Sequence, residues 1–384
     1  MINFLITLIS FYFASAQLEK NETINKPTEQ DLFIAGEGGY HTYRIPSLLI
    51  AADGSVLAFV EGRNSGSSDT GDIDVLMKKS TDGGRTWSEQ TVLWDKDESV
   101  CGNPNPVLDE ITGDIHLLLT WNRGDDHEGD IITKKSKDTR RVFVMKSTDN
   151  GESWSESKDI TETTKDPSWG WYATGPGVGI QIKYGPNKGR LVIPANHSYD
   201  DPNGGVRGGP FEYGSHVIFS DDHGTTWELG GSISPKMNES QLIEMADGNG
   251  TLLMNMRSYF GKNRRALSVS RDGGISWSHP VEASTLVEPV CQAAFLRYSW
   301  PNDRTGDLVL FSNPASTKRE NMTIKLSRDS GRTWAASKLL HSGPSAYSAL
   351  AALPNGEFLC LYEKGEENAY EKIVLARMSL DNLR

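Results

Sequence analysis

Cysteine is scarce in this chain of 384 residues. Cys101, Cys291 and Cys360 allow one disulfide bond at most. A small disulfide-stabilised scaffold is therefore excluded, and the sequence predicts a fold whose stability comes from its apolar core. Basic residues are in deficit as well, and the net charge of −12 argues against nucleic acid as a partner. An acidic ligand would need a local cluster of arginines to overcome this negative field.

Long apolar runs are also rare. The run at residues 2–13 is too short to span a bilayer, and no later segment reaches spanning length. It is followed by Ala14-Ser15-Ala16, which is typical of signal-peptide cleavage. We therefore predict a signal peptide at residues 1–16 and a secreted or periplasmic protein, or a lysosomal one in a eukaryotic cell. The polar residues 17–30 are predicted to form a loose N-terminal arm, and residues 31–384 one β domain.

The sequence shows no Cys/His cluster with the spacing of a metal site and no phosphate-binding loop. His127, His197 and His216 have no partner at ligand spacing. We therefore predict that the protein requires neither a metal ion nor another cofactor.

What the sequence does contain is a repeat. The pattern Ser-x-Asp-x-Gly-x-x-Trp occurs five times, beginning at Ser80, Ser147, Ser220, Ser270 and Ser327. Ser and Asp side chains can bond to nearby backbone N–H groups, Gly takes a positive φ, and Trp supplies a large apolar plug. Each copy follows a short strand-like segment and precedes another, so we predict that each forms the turn of a β-hairpin.

The spacing of these turns predicts the architecture. Successive tryptophans lie between 50 residues (Trp227 to Trp277) and 73 residues (Trp154 to Trp227) apart. This suits units of about four strands with loops of different length, and long helical periodicity is hard to find. We predict a single all-β propeller. A string of separate β modules is the alternative, but it would need linkers, and none are visible.

One arginine stands inside an apolar, strand-like run, Tyr43 to Ala51. Arg44 cannot lose its proton and is costly to bury unpaired, so it needs an anion from the protein or from a ligand. Pro46 lacks an N–H group and is expected at a strand start, an edge or a bulge. A structural Arg–Glu pair and an anion-binding site both remain open from this motif alone.

Together, these motifs resemble those of a known family. The five repeats resemble the Asp boxes of sialidases, and Tyr43-Arg44-Ile45-Pro46 resembles their RIP motif. The resemblance implies a six-bladed β-propeller in which one blade lacks a box and the two chain ends share a blade. It also implies an exo-α-sialidase that removes terminal α-linked sialic acids from glycoproteins, glycolipids and oligosaccharides, with retention and through a tyrosyl-linked intermediate.

The resemblance assigns three arginines to the sialic acid carboxylate. Arg44, Arg257 and Arg319 match the family positions in order. Arg304 is the alternative for the third position, but its neighbouring residues are typical of a polar turn, so Arg319 is preferred. Glu363 matches the glutamate that orients the first arginine.

The expected nucleophile is Tyr347, and the expected base that takes its proton is Glu239. A neutral phenol avoids the repulsion that a carboxylate nucleophile would meet at a carbon already bearing a carboxylate. Nearby arginines are expected to favour the tyrosinate. Glu244 is the nearest rival as base. Because Asn238 begins a glycosylation sequon beside Glu239, we predict that this sequon is unused.

The expected acid/base is Asp69, in a Gly-, Ser- and Asp-rich loop at residues 62–71. Asp72 and Asp74 are the alternatives, but they alternate with apolar residues as in a strand. Glu61 and Arg63 resemble the family pair near the sugar ring, with Arg63 near its 4-hydroxyl; a surface ion pair is the other interpretation.

The outer parts of the site are less defined. Asn103 and Asn105 are predicted to lie on a rim loop. The pocket for the N-acetyl group is expected to be apolar. Its candidates are the tryptophans that precede the fourth box and lie outside the boxes, Trp94, Trp121, Trp169 and Trp171.

Two other functions are consistent with the resemblance. The same residues could transfer the sugar to an acceptor or form an intramolecular anhydro product, as in trans-sialidases. A propeller that only binds carbohydrate would be expected to lack Tyr347, Glu239 or Asp69, and all three are present. We expect a monomer whose partners are sialylated glycans.

Overall fold

The computed structural model describes residues 27–383, and the predicted signal peptide lies outside this range. The prediction of an all-β protein is confirmed. The strands are β1 Thr28–Ile34, β2 Thr42–Ile50, β3 Val56–Arg63, β4 Ile73–Ser80, β5 Thr91–Trp94, β6 Val100–Leu108, β7 Ile115–Asn122, β8 Arg141–Ser147, β9 Lys158–Asp159, β10 Tyr172–Thr174, β11 Ile180–Gln181, β12 Leu191–Asp200, β13 Phe211–Ser220, β14 Glu228–Ile233, β15 Met237–Glu244, β16 Leu252–Ser258, β17 Arg264–Ser270, β18 Val281–Val287, β19 Ala294–Ser299, β20 Leu308–Pro314, β21 Glu320–Ser327, β22 Ala336–Ala352, β23 Glu357–Lys364 and β24 Lys372–Ser379. Within residues 27–383, helix is confined to the α-helices Glu128–Ile132 and Thr161–Thr164 and the 3-10 turns Val206–Gly208 and Leu380–Leu383.

The strands form four hydrogen-bonded sheets with mostly antiparallel neighbours. They are an eight-stranded sheet (β2 to β9), a five-stranded sheet (β10 to β14), a four-stranded sheet (β15 to β18) and a seven-stranded sheet (β19 to β24 with β1). The 17-residue strand β22 pairs with β21 through its first half and with β23 through its second. The apolar core is divided into clusters that lie between neighbouring groups of strands.

All five Asp boxes form the turns that the sequence predicts. In the first, the Ser80 hydroxyl donates to Asp82 and accepts from the Gly84 N–H at 2.7 Å. Asp82 accepts from the Thr86 N–H, and Gly84 has a φ of 83°. Each box joins two antiparallel strands, so the hairpin prediction is confirmed in every copy.

The box tryptophans pack into the core as predicted. Trp227 is almost fully buried, and the other four are partly buried against apolar clusters. Since these clusters include strands of the neighbouring group, each box ties one group of strands to the next.

Four strands share a bulge that changes the direction of their side chains. The pairing register shifts between Arg44 and Ser47 in β2, between Gly102 and Asn105 in β6, and at corresponding places in β15 and β22. Such bulges re-aim side chains at the end of a sheet. Pro46 lies inside the first bulge, as predicted.

The bulge in β6 corrects one prediction. Asn103 and Asn105 were expected on a rim loop, but both are buried within a strand. Beyond Val100, β6 pairs only with β7, so its other edge is free of ladder bonds and tolerates Pro104 and Pro106.

The chain ends meet in one sheet. β1 pairs with β24, and Leu32 and Phe33 are buried beneath it. The predicted N-terminal arm was therefore drawn too long, because residues 28–30 already belong to this strand. Their polar side chains are exposed, which made them resemble a loose segment in the sequence.

Two further findings concern the described residues. The three cysteines are free, buried thiols. Between residues 27 and 383, no helix is long and apolar enough to cross a membrane.

Candidate active site

A cavity of about 310 Å³ gathers the residues that the sequence analysis selected. Its lining includes Arg44, Glu61, Arg63, Asp69, Glu239, Arg257, Arg319 and Tyr347. Glu363 does not line the cavity but is buried in contact with Arg44. A larger open cleft of about 790 Å³ near the first two Asp boxes contains none of these nine residues.

Tyr347 forms the centre of one hydrogen-bonded group. Its hydroxyl donates to Glu239 Oε1, and Arg257 Nη1 lies 3.3 Å from the same hydroxyl. Arg257 also pairs with Glu239 Oε2 at 2.7 Å. Tyr347 and Glu239 come from the bulged parts of β22 and β15, and Arg257 comes from β16. A phenol in contact with a carboxylate is the arrangement needed for base-assisted attack by the phenol oxygen.

The arginines near Tyr347 act on its pKa in the expected direction but are outweighed. Burial, and then the charge of Glu239, raise the pKa of Tyr347 well above its ordinary value, although Arg257 and Arg319 act in the opposite direction. The nearby arginines therefore do not produce a resting tyrosinate. The hydroxyl keeps its proton and holds it against Glu239, ready to be transferred when the oxygen forms a bond.

Arg44 forms the structural Arg–Glu pair that was one of the two interpretations of its motif. Its Nε atom donates to Glu363 Oε1 at 2.9 Å, and both side chains are buried. Glu363 also accepts from the backbone N–H groups of Ile45 and Tyr347. Ile45 has a φ of 57°, which is unusual for a β-branched residue, and Glu363 holds this strained backbone in place.

Arg319 meets a residue that the sequence analysis missed. Arg319 Nη1 donates to the Tyr370 hydroxyl at 2.6 Å, and the Arg44 guanidinium lies 4.1 Å from the centre of the Tyr370 ring. Tyr370 thus contacts two of the three arginines. Tyr370 is an aromatic residue in a charged loop between β23 and β24. This contrast is the feature by which the sequence could have indicated a functional residue. Arg44 and Arg319 also lie 5.0 Å and 5.6 Å from the centre of the Tyr347 ring.

Asp69 lies on the loop between β3 and β4 and is 63 % exposed. It pairs with Arg63 Nη2 at 2.7 Å and lies 4.0 Å from Arg44. Loss of water raises the pKa of Asp69, but the charges of Arg63 and Arg44 outweigh this effect, so its pKa lies below the ordinary value. Asp69 is therefore ionised at neutral pH.

Arg63 and Glu61 are a buried pair and not a surface one. Arg63 Nη2 lies 2.7 Å from Glu61 Oε2, and Arg63 Nη1 donates to the carbonyl of Ser67 in the Asp69 loop. Glu61 Oε1 accepts from the Asn103 N–H at 2.8 Å. Arg63 therefore connects the sheet to the loop that carries Asp69.

The structure adds a fifth arginine to the lining, the buried Arg140, which the sequence analysis missed. Arg140 Nη2 donates to the Asn103 side chain at 2.6 Å, and its guanidinium lies 4.1 Å from the centre of the Trp171 ring. Arg140 is adjacent in sequence to Arg141, which pairs with Asp138 and is not buried. Only the tertiary structure distinguishes the environments of these two arginines.

The structure separates the four tryptophans that were candidates for the N-acetyl pocket. Trp171 lines the cavity. Trp94 packs on Phe143 in the core, Trp121 packs in the same cluster, and Trp169 stacks on His197 at 3.5 Å. Tryptophan is common in both cores and pockets, so sequence position could not separate them.

The rivals of the selected residues lie elsewhere. Arg304 is exposed on a loop, and Glu244 is buried against the backbone of Lys183 and Tyr184. Asp74 lies on β4 and accepts from the Tyr40 hydroxyl. None of these residues, nor Asp72, lines the cavity.

Metal ligation has no visible basis in the part of the chain that the structure describes. No group of three or more His, Cys, Asp or Glu side chains is arranged to hold an ion there. His197 and His216 do contact each other, at 3.0 Å between their Nδ1 atoms, but they are buried beside Trp169. Independence from metal stays a prediction.

The Asp-box turns and the residues of the cavity are typical of one class of protein, and comparison with known proteins identifies that class. A family model described as "BNR repeat-like domain" matches residues 54–360. A sialidase of Paraclostridium sordellii is 30% identical, with coverage of 94% of this chain and 91% of the relative. The chain belongs to the sialidase family.

Other relatives are longer. A sialidase of Micromonospora viridifaciens is 35% identical over 360 residues, which cover 91% of this chain and 54% of the relative. One from Bacteroides fragilis is 31% identical, and 61% of it is covered. This chain therefore spans little more than half the length of these two proteins.

Solved structures share the fold. The Hadza microbial sialidase Hz136 superposes with a TM-score of 0.80 at 30% identity, covering 93% of this chain and 69% of that one. The intramolecular trans-sialidase from Ruminococcus gnavus superposes with a TM-score of 0.79 at 21% identity, covering 92% and 98%. At that identity the second likeness concerns the fold alone.

Proposed function

We propose that this protein is an exo-α-sialidase that hydrolyses terminal α-linked sialic acids with retention. The observation that carries the proposal is the convergence of Arg44, Arg257 and Arg319 around a tyrosine whose hydroxyl contacts a carboxylate. Arginines suit a carboxylate ligand because they offer several N–H donors in a fixed plane. A ligand with its carboxylate on the reacting carbon would bring that carbon to Tyr347.

In the first step, the Tyr347 oxygen bonds to the anomeric carbon while Glu239 takes the phenolic proton. Asp69, protonated in the substrate complex, gives its proton to the leaving glycosidic oxygen. The substrate carboxylate supplies negative charge near Arg44, which weakens the arginine field on Asp69 and raises its pKa. Asp69 can then hold the proton that its ion pair with Arg63 disfavours in the free enzyme.

In the second step, Asp69 accepts a proton from water, and the water oxygen bonds to the anomeric carbon. The bond to Tyr347 breaks, and the phenol recovers its proton from Glu239. Two displacements at one carbon return the original configuration. Arg257 contacts both the phenol and Glu239, so it can stabilise the negative charge as it moves between them.

The first test is release of the fluorophore from a fluorogenic α-sialoside by wild type and Tyr347→Phe, without added metal and with a chelator control. We expect kcat/KM to fall by roughly a thousandfold or more. Tyr298→Phe is a matched control, because that hydroxyl donates to the carbonyl of Gly356, outside the cavity. A Tyr347→Phe enzyme that retains most of its activity would remove the tyrosine from the mechanism.

Product analysis tests the rest of the proposal. We expect α-configured free sialic acid as the first product, and covalent labelling of Tyr347 by 2,3-difluorosialic acid, detected by peptide mass spectrometry. Transfer of the sugar to an added glycan, or an anhydro sugar as the main product, would replace hydrolysis with a transferase activity of the same residues. Binding without turnover by folded protein would contradict the enzyme assignment.

We also propose that the strands form six blades of four or five strands around one axis. Dividing the eight-stranded sheet between β5 and β6, and the seven-stranded sheet within β22, gives six groups together with the two remaining sheets. The larger apolar clusters support this arrangement, because each lies between consecutive groups, and one joins β2 and β3 to β23 and β24. The group of β23, β24 and β1 contains no box.

Finally, we propose that residues 1–16 are a signal peptide, that the exported chain acts on sialylated glycans, and that it is a monomer. N-terminal sequencing of the exported protein is expected to begin at Gln17, and light scattering is expected to give the mass of one chain. An uncleaved N-terminus or a dimer mass would contradict the respective part.

A further inference from the structure

The three arginines assigned to the substrate carboxylate are held by two kinds of partner. Arg44 pairs with Glu363 at 2.9 Å. Arg257 pairs with Glu239 at 2.7 Å. No carboxylate lies within 4.0 Å of Arg319 in the described part of the chain. Two of the three guanidinium groups are therefore compensated by a carboxylate, whereas the third is not.

Arg319 is oriented instead by a neutral group, the phenol of Tyr370. Its Nη1 atom donates to the Tyr370 hydroxyl at 2.6 Å, and this is the only hydrogen bond that its guanidinium makes to residues 27–383. A phenol oxygen fixes the direction of an N–H group but offsets none of the charge on the guanidinium. The Tyr370 ring also packs on Arg44, 4.1 Å from ring centre to guanidinium. One side chain thus contacts two of the arginines without adding a charge.

The loop between β23 and β24 holds Tyr370 in place. The Glu371 carboxylate accepts from three consecutive backbone N–H groups, at residues 366–368, at 2.8 to 3.0 Å. The Asn368 side chain accepts from the Tyr370 N–H at 2.9 Å, and Ala369 is buried in the apolar cluster that contains the proposed nucleophile. The position of Tyr370 is therefore set before a ligand binds, which lowers the entropy lost on binding.

The neutrality of Tyr370 matters for the charge of the site. At the other two arginines, pairing with a glutamate leaves no net charge, so Arg319 supplies the positive charge of the three that its own partner leaves uncompensated. A ligand carboxylate carries one negative charge and matches it. A carboxylate in place of Tyr370 could also orient Arg319, but it would cancel this charge and compete for the N–H groups that the ligand needs.

We propose that Tyr370 is a positioning residue that orients Arg319 towards the substrate carboxylate without neutralising it. This inference rests on the proposed sialidase function, which assigns Arg319 to that carboxylate. The carboxylate stands on the carbon at which bonds change, so the direction of Arg319 also decides where that carbon lies relative to Tyr347. Loss of the phenol oxygen should therefore weaken binding and slow the reaction of the bound substrate.

Kinetics on the fluorogenic α-sialoside test whether Tyr370 acts through Arg319. In Tyr370→Phe we expect kcat/KM to fall roughly tenfold to a hundredfold, with a higher KM and a lower kcat, because a hydrogen bond to a charged group is lost. In an Arg319→Met background the same change should lower kcat/KM less than about threefold, since the guanidinium that the phenol orients is absent. Tyr298→Phe is the control, because its hydroxyl donates to the Gly356 carbonyl outside the cavity.

Binding of unreactive ligands separates positioning from general damage. The ligands are two sulfur-linked analogues of the sialoside, which differ only in carrying a carboxylate or a primary amide on the anomeric carbon. We expect wild type to bind the carboxylate roughly a hundredfold more tightly, as measured by calorimetry. In Tyr370→Phe this preference should fall roughly tenfold, while the affinity for the amide changes less than about twofold.

The outcomes distinguish the two proposals. Absence of turnover by folded wild type would contradict the sialidase function itself. With turnover intact, an unchanged preference for the carboxylate in Tyr370→Phe, or an equal loss of affinity for both ligands, would overturn the positioning role. A full effect of Tyr370→Phe in the Arg319→Met background would overturn it too. If Tyr370→Phe fails to fold, Tyr370→His and Tyr370→Leu are measured, and an unchanged preference in both overturns the proposal.

Discussion

At the scale of single residues, the pairing of Asp69 with Arg63 links binding to proton transfer. An acid catalyst must enter the reaction protonated, but the charges of Arg63 and Arg44 lower the pKa of Asp69 in the free enzyme. Since kcat/KM reports the ionisation of free enzyme, it should fall as pH rises through the pKa of Asp69.

We therefore predict a shifted pH profile for Arg63→Met. Loss of the guanidinium 2.7 Å from Asp69 raises the pKa of that carboxyl group, so the falling limb of kcat/KM moves to higher pH. The maximum falls as well, because Arg63 lines the cavity. Arg63→Lys keeps the positive charge and should move the limb less. A lower maximum with an unmoved limb in Arg63→Met would mean that Asp69 does not set the profile.

At the scale of structural elements, each Asp box stabilises one hairpin by hydrogen bonds that its own residues supply. Asp82 accepts from the N–H groups of Arg85 and Thr86 and from the Thr86 hydroxyl. The hydrogen bonds from Thr86 are the largest cause of the lowered pKa of Asp82. The aspartate is therefore ionised at neutral pH, where its stabilising effect is fully present. That effect is lost only as pH falls through this lowered pKa.

Asp82→Ala should lower the melting temperature at neutral pH by roughly 2–5 °C, as measured by calorimetry. The kcat/KM per folded molecule should stay unchanged, because Asp82 does not line the cavity. Thr81→Ala, an exposed position in the same turn, serves as the control. Equal melting temperatures for the two variants would show that the box bonds add no net stability.

At the scale of the whole molecule, the first strand joins the two ends of the chain. β1 forms a seven-residue strand on β24, and Leu32 and Phe33 are buried there. Glu29 accepts from the Tyr362 hydroxyl and pairs with Lys364 at 2.6 Å. Without β1, the edge of β24 would be open to pairing with other chains.

We predict that a chain starting at Ala35 melts roughly 10 °C below one starting at Pro27, since it loses two buried apolar side chains and a full ladder. It should also aggregate at lower concentration, as seen by light scattering. The double variant Leu32→Ala/Phe33→Ala keeps the ladder and should melt between the two. A chain starting at Ala35 with unchanged melting would show that β1 does not close the fold.

Local patterns in the sequence were sufficient for the repeat, the hairpins and the main chemical residues. An Asp box is held by bonds within eight residues, so its conformation is readable from those residues alone. Arg44 in an apolar strand, Tyr347, Glu239 and Asp69 could be selected because the family motifs around them are contiguous. All nine selected residues lie at or against one cavity.

The tertiary structure decided what depends on distant partners. Arg140 and Arg141 are adjacent and identical, but one is buried under Trp171 and the other is paired on the surface. Tyr370 joins Arg44 to Arg319 across segments that lie far apart in sequence. The raised pKa of Tyr347 also follows from burial, which no local pattern encodes. The sequence by itself determined the elements and their chemistry, whereas burial and long-range contacts determined the electrostatics and the outer walls of the site.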